Sequence, residues 1–374
     1  MTRWTQCLLV CGFVLALAVP PVATLSGVDG ADPVGENRTV APSPPAPTSW
    51  ASAVAFLPAF DLWFSDHFAF RDTLVRAYGR SRYLWLGMSS SSGVVTARDG
   101  WLFYVDDGGL DNFTNAKPFS EAELVTWRSA VKRAHDWCAA RGITYMFMVA
   151  PDKTEIYPEL FPRTARRVSS VSRTDQLYTA LSDLGVVIDV RPSLLREKST
   201  VRVFEKTDSH WNPRGAFVAY QHVIKALRTR TPTIPPAATL AEFEPGVRRV
   251  PSMDLAGMMG LKRVLGEEQL VLRRKQPRRY VMRDPIGNIV EAGEGRIVTE
   301  IPGSTLPSAV VFRDSFTAAM APFLSEHFRR VVYLWRNDFA ADEVLAEHPD
   351  VVLQEIVSRH IQYYEPSPEL IPVP

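Results

Sequence analysis

The stretch SAVVFRDSFTAAM, residues 308–320, decides the predicted fold. An apolar run of strand length, Ala309–Phe312, leads into Asp314 and Ser315, and residues able to begin a helix follow. Apolar runs without polar alternation are typical of strands that are covered on both faces. A side chain at the carboxyl end of a parallel strand faces the crevice in which α/β proteins bind ligands. The stretch therefore predicts an α/β domain and makes Ser315 a candidate nucleophile.

Further apolar runs of strand length alternate with helical patterns beyond Gly100. Two helix starts carry capping signals, because Ser120 and Glu123 form a capping box and Asn212 stands before a proline. This alternation predicts a largely parallel sheet covered by helices. The remaining predicted strands are Ile143–Val149, Val186–Val190, Val331–Trp335 and Val351–Ile356.

The composition indicates a folded and nearly neutral protein. Hydrophobic residues make up 46% of the 374 residues, which is enough for a substantial core. The 42 Lys and Arg residues balance 41 Asp and Glu residues, so the overall charge does not indicate a nucleic-acid-binding protein. Basic patches at 273–275 and 278–279 are typical of a solvated surface.

An uncharged apolar segment, Cys7–Leu25, follows the basic residue Arg3. Its length lies between that of a secretory signal and that of a membrane-spanning helix, and either one carries the rest of the chain across a membrane. No clean small-x-small cleavage site follows, so we expect an uncleaved anchor. The segment contains Cys7 and Cys11, which leaves Cys138 as the single cysteine of the exported part. We therefore expect neither an intrachain disulfide nor a cysteine-based metal site there.

Regions of the chain differ in composition. Residues 1–25 are expected to be a signal anchor or signal peptide, and residues 26–55, rich in Pro, Gly, Ser and Ala, a flexible tether. Residues 56–374 are expected to form the main domain, onto which aromatic-rich helices at 56–85 pack. Pro, Gly and basic residues at 230–300 indicate an insertion or a β-rich excursion within this domain.

A second stretch, TDSHWNPRGA at 207–216, places a carboxylate two residues before an imidazole. Serine is inert at its free pKa and needs a base, and an imidazole titrates near neutrality. His210 can therefore activate Ser315, while Asp208 fixes the tautomer of the imidazole and stabilises its charged form. Taken alone, the Asp-x-His pair equally fits half of a metal site or a polar loop. An Asp-Ser pair at a strand end is also typical of a helix N-cap.

Other residues near strand ends are candidates for substrate binding. Arg336 follows a predicted strand and can hold an anionic sugar or an acetyl oxygen, although a surface salt bridge also explains it. Lys153 and Tyr157 follow another strand and can line the same crevice, or can belong to a structural turn. Trp211, beside the candidate base, either stacks on a sugar ring or packs in the core.

Together these motifs resemble the SGNH-hydrolase-like polysaccharide O-acetyltransferases of the alginate AlgJ/AlgX type. The Asp-x-His-Trp-Asn signature of that family is similar to Asp208–Asn212, and its later serine block is similar to Asp314–Phe316. In both, the order Asp, His, Ser is circularly permuted relative to ordinary SGNH esterases. Further similar segments are DHFAFR (66–71), DGWLFY (99–104), PDKTEIYPELFP (151–162) and PDVVLQEIVSR (349–359).

The resemblance implies a three-layer SGNH-hydrolase-like α/β domain that moves an acetyl group, through acetylated Ser315, onto hydroxyls of an exported exopolysaccharide. It also implies a membrane-bound O-acyltransferase as acetyl donor and a periplasmic location, tethered to the inner membrane. Arg313 stands where this family commonly has glycine, so it can narrow the turn or contact substrate. No phosphate-binding glycine loop or coenzyme A site is apparent in the sequence, and we expect no cofactor and no metal.

Two alternative functions stay open at the level of sequence. Water in place of the sugar turns the same residues into a carbohydrate esterase, because transfer depends on acceptor binding and on exclusion of water. A polysaccharide-binding or scaffold subunit can also keep the fold without turnover. Activity measurements separate these alternatives from an O-acetyltransferase.

Overall fold

Helices and strands alternate along most of the chain in the computed structural model, which describes residues 2–27, 40–251, 253–262, 264–282 and 295–373. The α-helices are α1 (Arg3–Leu25), α2 (Trp50–His67), α3 (Arg71–Leu86), α4 (Gly109–Thr114), α5 (Glu121–Ala139), α6 (Lys153–Ile156), α7 (Arg173–Ala180), α8 (Arg191–Lys198), α9 (Pro213–Arg228), α10 (Asp254–Met258), α11 (Ser315–Leu324) and α12 (Ala341–Glu347). The strands are β1 (Val94–Thr96), β2 (Leu102–Tyr104), β3 (Thr144–Ala150), β4 (Val187–Ile188), β5 (Phe243–Val250), β6 (Glu267–Arg274), β7 (Val281–Met282), β8 (Arg296–Glu300), β9 (Ser308–Arg313), β10 (Arg330–Trp335) and β11 (Val351–Val357).

Two compact units divide the chain, Met1–Val94 with Pro251–Gly266 and Val95–Val250 with Glu267–Pro374. The first unit contains α1, α2, α3 and α10. Within α1, the 22-residue span Arg3–Thr24 contains an 18-residue window with a mean hydropathy of 2.3, so it is long and apolar enough to cross a membrane, and a secretory signal fits equally well. No residue of α2 is buried, and the packing of the helices at 56–85 onto the main domain stays a prediction.

A seven-stranded sheet forms the centre of the second unit, with strand order β4-β3-β11-β9-β10-β8-β7. The first five strands are parallel, and β8 and β7 join antiparallel at one edge. All five strands predicted from apolar runs lie in the parallel part, so the predicted α/β class with a largely parallel sheet is confirmed.

Helices cover both faces of this sheet. Alternate residues of β3 point to opposite sides, since Met146 and Met148 belong to one core while Phe147 and Val149 belong to the other. The first core includes apolar side chains of α9 and α11, and the second includes those of α5. The unit therefore has three layers, and α11, which begins with Ser315, packs on the same face as α9.

Each of the two predicted capping signals lies at the start of a helix. Ser120 Oγ accepts the N–H of Glu123 at 3.2 Å, and Glu123 Oε2 accepts the N–H of Ser120 at 2.8 Å, so the capping box of α5 is confirmed. Asn212 Oδ1 accepts the N–H of Gly215 at 2.9 Å at the start of α9. This second cap holds the loop containing His210 at the end of a rigid helix.

Residues 230–300 contribute strands in two places. β5 and β6 pair antiparallel in a sheet of their own, whereas β7 and β8 extend the main sheet. The parts of this segment at 252, 263 and 283–294 lie outside the described residues. So does 28–39 of the predicted tether, and α2 begins at Trp50, inside the range predicted for that tether.

Candidate active site

Ser315 is the first residue of α11, immediately after the central strand β9. Asp314 caps the helix, since its Oδ1 accepts the N–H of Phe316 at 2.9 Å. The other oxygen, Oδ2, accepts the N–H of Val357 at 2.6 Å, at the end of the neighbouring strand β11. One carboxylate thus ties together the ends of two adjacent strands and fixes the turn that presents Ser315.

A second carboxyl group lies under this turn. Glu355 is fully buried, and its Oε2 accepts the N–H of Asp314 at 3.0 Å and the hydroxyl of Thr317 at 2.9 Å. Burial, followed by the nearby charge of Asp314, raises the pKa of Glu355 well above its usual value. Glu355 therefore binds a proton more readily than an ordinary carboxyl group does, which limits the negative charge beside Asp314.

The loop before α9 brings the predicted base to this serine. His210 Nε2 lies 2.7 Å from Ser315 Oγ, although 105 positions separate the two residues. On the other side of the ring, His210 Nδ1 lies 2.6 Å from Asp208 Oδ1, which also accepts the backbone N–H of His210 at 2.9 Å. The structure thus joins Ser315, His210 and Asp208 in one hydrogen-bonded line.

The electrostatics of Asp208 determine the tautomer of His210. Burial acts to raise the pKa of this carboxyl, but the charge and hydrogen bonds of His210, with the charge of Lys153, outweigh burial and lower its pKa. Asp208 is therefore an ionised acceptor at neutral pH. His210 Nδ1 donates to it, which leaves Nε2 free of a proton and able to accept the hydroxyl proton of Ser315.

Trp211 connects the loop that contains His210, referred to as the histidine loop, to α11. Its indole Nε1 donates to the carbonyl of Phe316 at 3.1 Å, and the two rings meet edge to face at 5.0 Å. Only 2% of Trp211 is exposed. Of the two predicted roles, core packing therefore describes this residue, and its ring offers no open face to a sugar.

The side chains of Lys153 and Tyr157 are buried beside the chain segment that leads to His210. Lys153 is 3% exposed and donates to the carbonyls of Leu102 at 2.7 Å and Lys206 at 3.2 Å. The hydroxyl of buried Tyr157 accepts the N–H of Val203 at 3.0 Å. Both side chains are used within the fold, so the structural-turn alternative describes them and a direct sugar contact does not.

The two arginines predicted to contact substrate occupy different environments. Arg313 is 2% exposed, stacks at 4.7 Å over the ring of Trp335 and donates to the carbonyl of Asp314 at 3.2 Å. Burial lowers its pKa, and it is part of the turn and not of an open surface. Arg336 is exposed and lines a groove of about 380 Å³ beside α5, on the sheet face opposite α11. Among the described residues no hydrogen bond joins it to Ser315, His210 or Asp208.

A buried polar cluster around Asp152 lies near the turn that presents Ser315. Sequence analysis did not identify this cluster. Arg359 Nη1 donates to Asp152 Oδ1 at 2.6 Å, and its guanidinium lies 5.6 Å from the ring of Phe316. Asp152 Oδ2 also accepts from Asn112 at 3.1 Å and from Ser358 at 3.0 Å. The topology of the sheet could have indicated this cluster, because Asp152 and Arg359 follow strands that are adjacent and parallel.

Comparisons with known proteins show the family of the chain. A family model described as "SGNH hydrolase-like domain, acetyltransferase AlgX" matches residues 94–296, which is more than half of the chain. The match includes Asp208 and His210 and ends before Ser315.

Two curated relatives are similar to part of the chain. The "Probable alginate O-acetylase AlgJ" of Pseudomonas syringae pv. tomato is 27% identical over 141 residues, which is 37% of this chain and 34% of the relative. The protein of the same name from Pseudomonas aeruginosa is 28% identical over 137 residues, 36% of this chain and 33% of the relative. The chain thus spans about a third of the length of these relatives.

The fold is similar to that of Bacillus cereus PatB1, with a TM-score of 0.53 and 16% identity over 71% of this chain and 95% of that one. The fold agrees with the family match. The chain therefore belongs to the SGNH hydrolase-like family of the acetyltransferase AlgX.

Proposed function

We propose that this protein is a polysaccharide O-acetyltransferase in which Ser315 is the nucleophile, His210 the general base and Asp208 the residue that orients His210. The observation that carries the proposal is the hydrogen-bonded line from Asp208 through His210 to Ser315, with contacts of 2.6 and 2.7 Å. Family membership and the AlgJ relatives, which are named as alginate O-acetylases, support acetyl transfer as the reaction.

In the first half-reaction, Ser315 Oγ attacks the carbonyl carbon of an acetyl donor while its proton passes to His210 Nε2. The backbone N–H of Ser315, at the positive end of α11, faces the oxygen on which negative charge develops. When the carbonyl reforms, the donor group leaves with the proton held by His210. Ser315 then carries the acetyl group as an ester.

In the second half-reaction, a sugar hydroxyl gives its proton to His210 Nε2 and attacks the acetyl carbonyl. The bond to Ser315 breaks, and Oγ recovers the proton from His210. Asp208 keeps its negative charge throughout and stabilises the imidazolium that forms in each half. The products are an acetylated sugar and the free serine.

The donor and the location complete the proposal. A membrane-bound O-acyltransferase, as the family resemblance implies, supplies the acetyl group on the outer side of the inner membrane, and an exopolysaccharide receives it. The apolar helix α1 supports this location, since it is long enough to hold the protein at that membrane.

A carbohydrate esterase is the second candidate, and one observation favours it. The His210 side chain is 28% exposed, so its imidazole is accessible to water when no acceptor is bound. Acetyl label from a donor ester distinguishes the two functions: a transferase places it on bare oligosaccharide, whereas an esterase releases it only as acetate. A non-catalytic scaffold does neither.

The test uses the full-length chain in detergent with a chromogenic acetyl ester. We expect slow release of acetate and an acetylated peptide containing Ser315 after acid quenching, and Ser315→Ala should abolish both. His210→Ala should lower the rate by about 10²–10⁴, the usual contribution of general acid–base catalysis. Ser65→Ala, on exposed α2, serves as the matched control. Undiminished activity in Ser315→Ala would exclude Ser315 as the nucleophile.

A further inference from the structure

A buried carboxylate from a distant segment contacts the loop that contains Asp208 and His210. Glu267, the first residue of β6, is 5% exposed. Its Oε1 accepts the N–H of Lys206 at 2.6 Å and Arg202 Nη1 at 2.7 Å. Its Oε2 accepts the N–H of Thr207 at 2.9 Å and the hydroxyl of Thr207 at 2.6 Å. Four donors therefore converge on a single carboxylate.

Three of these donors belong to Lys206 and Thr207, which immediately precede Asp208 in the chain. Two consecutive backbone N–H groups that point at one carboxylate hold the peptide planes on either side of Lys206 in fixed orientations. The same loop is closed at its base, where the N–H of Glu205 donates to the carbonyl of His210 at 3.3 Å. Movement of Glu267 would thus move the peptide that leads into Asp208.

The charge on Glu267 is stable at neutral pH. Burial acts to raise its pKa, but hydrogen bonds from Thr207 and Lys206 and the charge of Arg202 outweigh burial and lower it. The neighbouring carboxyl of Glu205 behaves in the opposite way, since burial and the charge of Glu267 raise its pKa to about 8. The pair therefore holds one proton, on Glu205, and Glu267 remains the charged acceptor that binds the loop.

We infer that Glu267 is a positioning residue, which sets the distance between His210 and Ser315 through the backbone of residues 206–208. This inference rests on the proposed function, because it matters only if His210 and Ser315 react together. It also gives a role to part of 230–300, the segment that sequence analysis predicts to be an insertion or a β-rich excursion.

Glu267→Gln tests the inference, because an amide of the same shape cannot accept from all four donors. We expect kcat for acetyl ester cleavage to fall by about 10²-fold, the typical cost of a misplacement near 1 Å, with KM unchanged. We also expect the acid limb of the pH–rate profile to move to lower pH, since a looser contact with Asp208 stabilises the imidazolium less. Glu268→Gln, on the adjacent exposed residue, should remain within about twofold of the native rate.

An unchanged kcat in Glu267→Gln would overturn the inference. A loss of activity that merely follows the folded fraction, with the acid limb in place, would also overturn it and leave a purely structural role. If Glu267→Gln does not fold, Glu267→Asp decides by the same two readouts, because it keeps the charge but shortens the reach. Native activity in Ser315→Ala would instead contradict the proposed function and not the contacts of Glu267.

Discussion

Carboxyl groups around Ser315 differ in charge because their partners differ. Asp208 and Glu267 each face several donors, which lower their pKa values, whereas Glu355 and Glu205 are buried beside another carboxylate, which raises theirs. This division limits the negative charge in the interior while it keeps an ionised acceptor behind the histidine. Substitution by the corresponding amide should therefore remove a charge at Asp208 or Glu267, but should mimic the protonated form at Glu205.

Glu205 gives a prediction on stability. Its folded pKa, about 8, lies above the ordinary value of 4.5, so the folded chain holds the proton more tightly than the unfolded chain does. The stabilisation is fully present below the ordinary pKa and is lost as pH rises through about 8. Glu205→Gln mimics the protonated form, so we expect the free energy of unfolding to fall less steeply between about pH 5 and pH 8.

Urea denaturation at several pH values measures this effect. Glu244→Gln, on an exposed position of β5, is the matched control and should keep the native slope. An equally steep decline in Glu205→Gln would show that the proton is held elsewhere.

Residue types and local motifs were enough to identify Ser315, His210 and Asp208, which the structure brings together. They could not identify Glu267, because nothing near position 267 in the sequence indicates that its carboxylate meets residues 206 and 207. Nor could they show which way side chains point at a strand end. Lys153 and Arg313 occupy predicted positions at strand ends, yet both are buried.

At the scale of single elements, the sequence predicted the long apolar strands and the capped helices well. Unbroken apolar runs specify β3 and β11, and capping signals specify the starts of α5 and α9. The edge strand β7 has only two residues, so its place in the sheet depends on pairing with β8 and not on a pattern of its own. The same reason explains why the division of 230–300 between two sheets was not predicted.

Gly215, in the first turn of α9, gives a prediction on packing. A Cβ atom there would lie 2.1 Å from the carbonyl oxygen of Val203 and 3.0 Å from the Cβ of Trp211. We expect Gly215→Ala to lower the free energy of unfolding by about 1–3 kcal/mol, the usual cost of overpacking, and to lower activity through the displaced histidine loop.

Chemical denaturation and ester cleavage test this expectation together. Gly246→Ala is the control, because the nearest atom to its added Cβ is 4.0 Å away. Native stability in Gly215→Ala would mean that the start of α9 can move away from Val203 without cost.

At the scale of the whole molecule, the membrane anchor remains a prediction, and substitutions in α1 test it. We expect the native chain to retain residues 2–25 by intact mass and to stay in alkaline-washed membranes. Leu15→Arg, in the middle of α1, should reduce that fraction, because arginine at a helix centre costs about 2.5–3.5 kcal/mol of insertion free energy. Val40→Arg, outside the helix, is the control. A processed, soluble native chain would contradict the anchor and favour a cleaved signal.

The position of β11 has a consequence for biogenesis. This strand lies between β3 and β9, although it follows both of them in the chain. While residues 351–357 are still in the ribosome or a translocation channel, β9 lacks one of its two neighbours and Asp314 lacks the N–H of Val357. In a nascent chain the turn that presents Ser315 therefore stays incomplete until β11 has emerged.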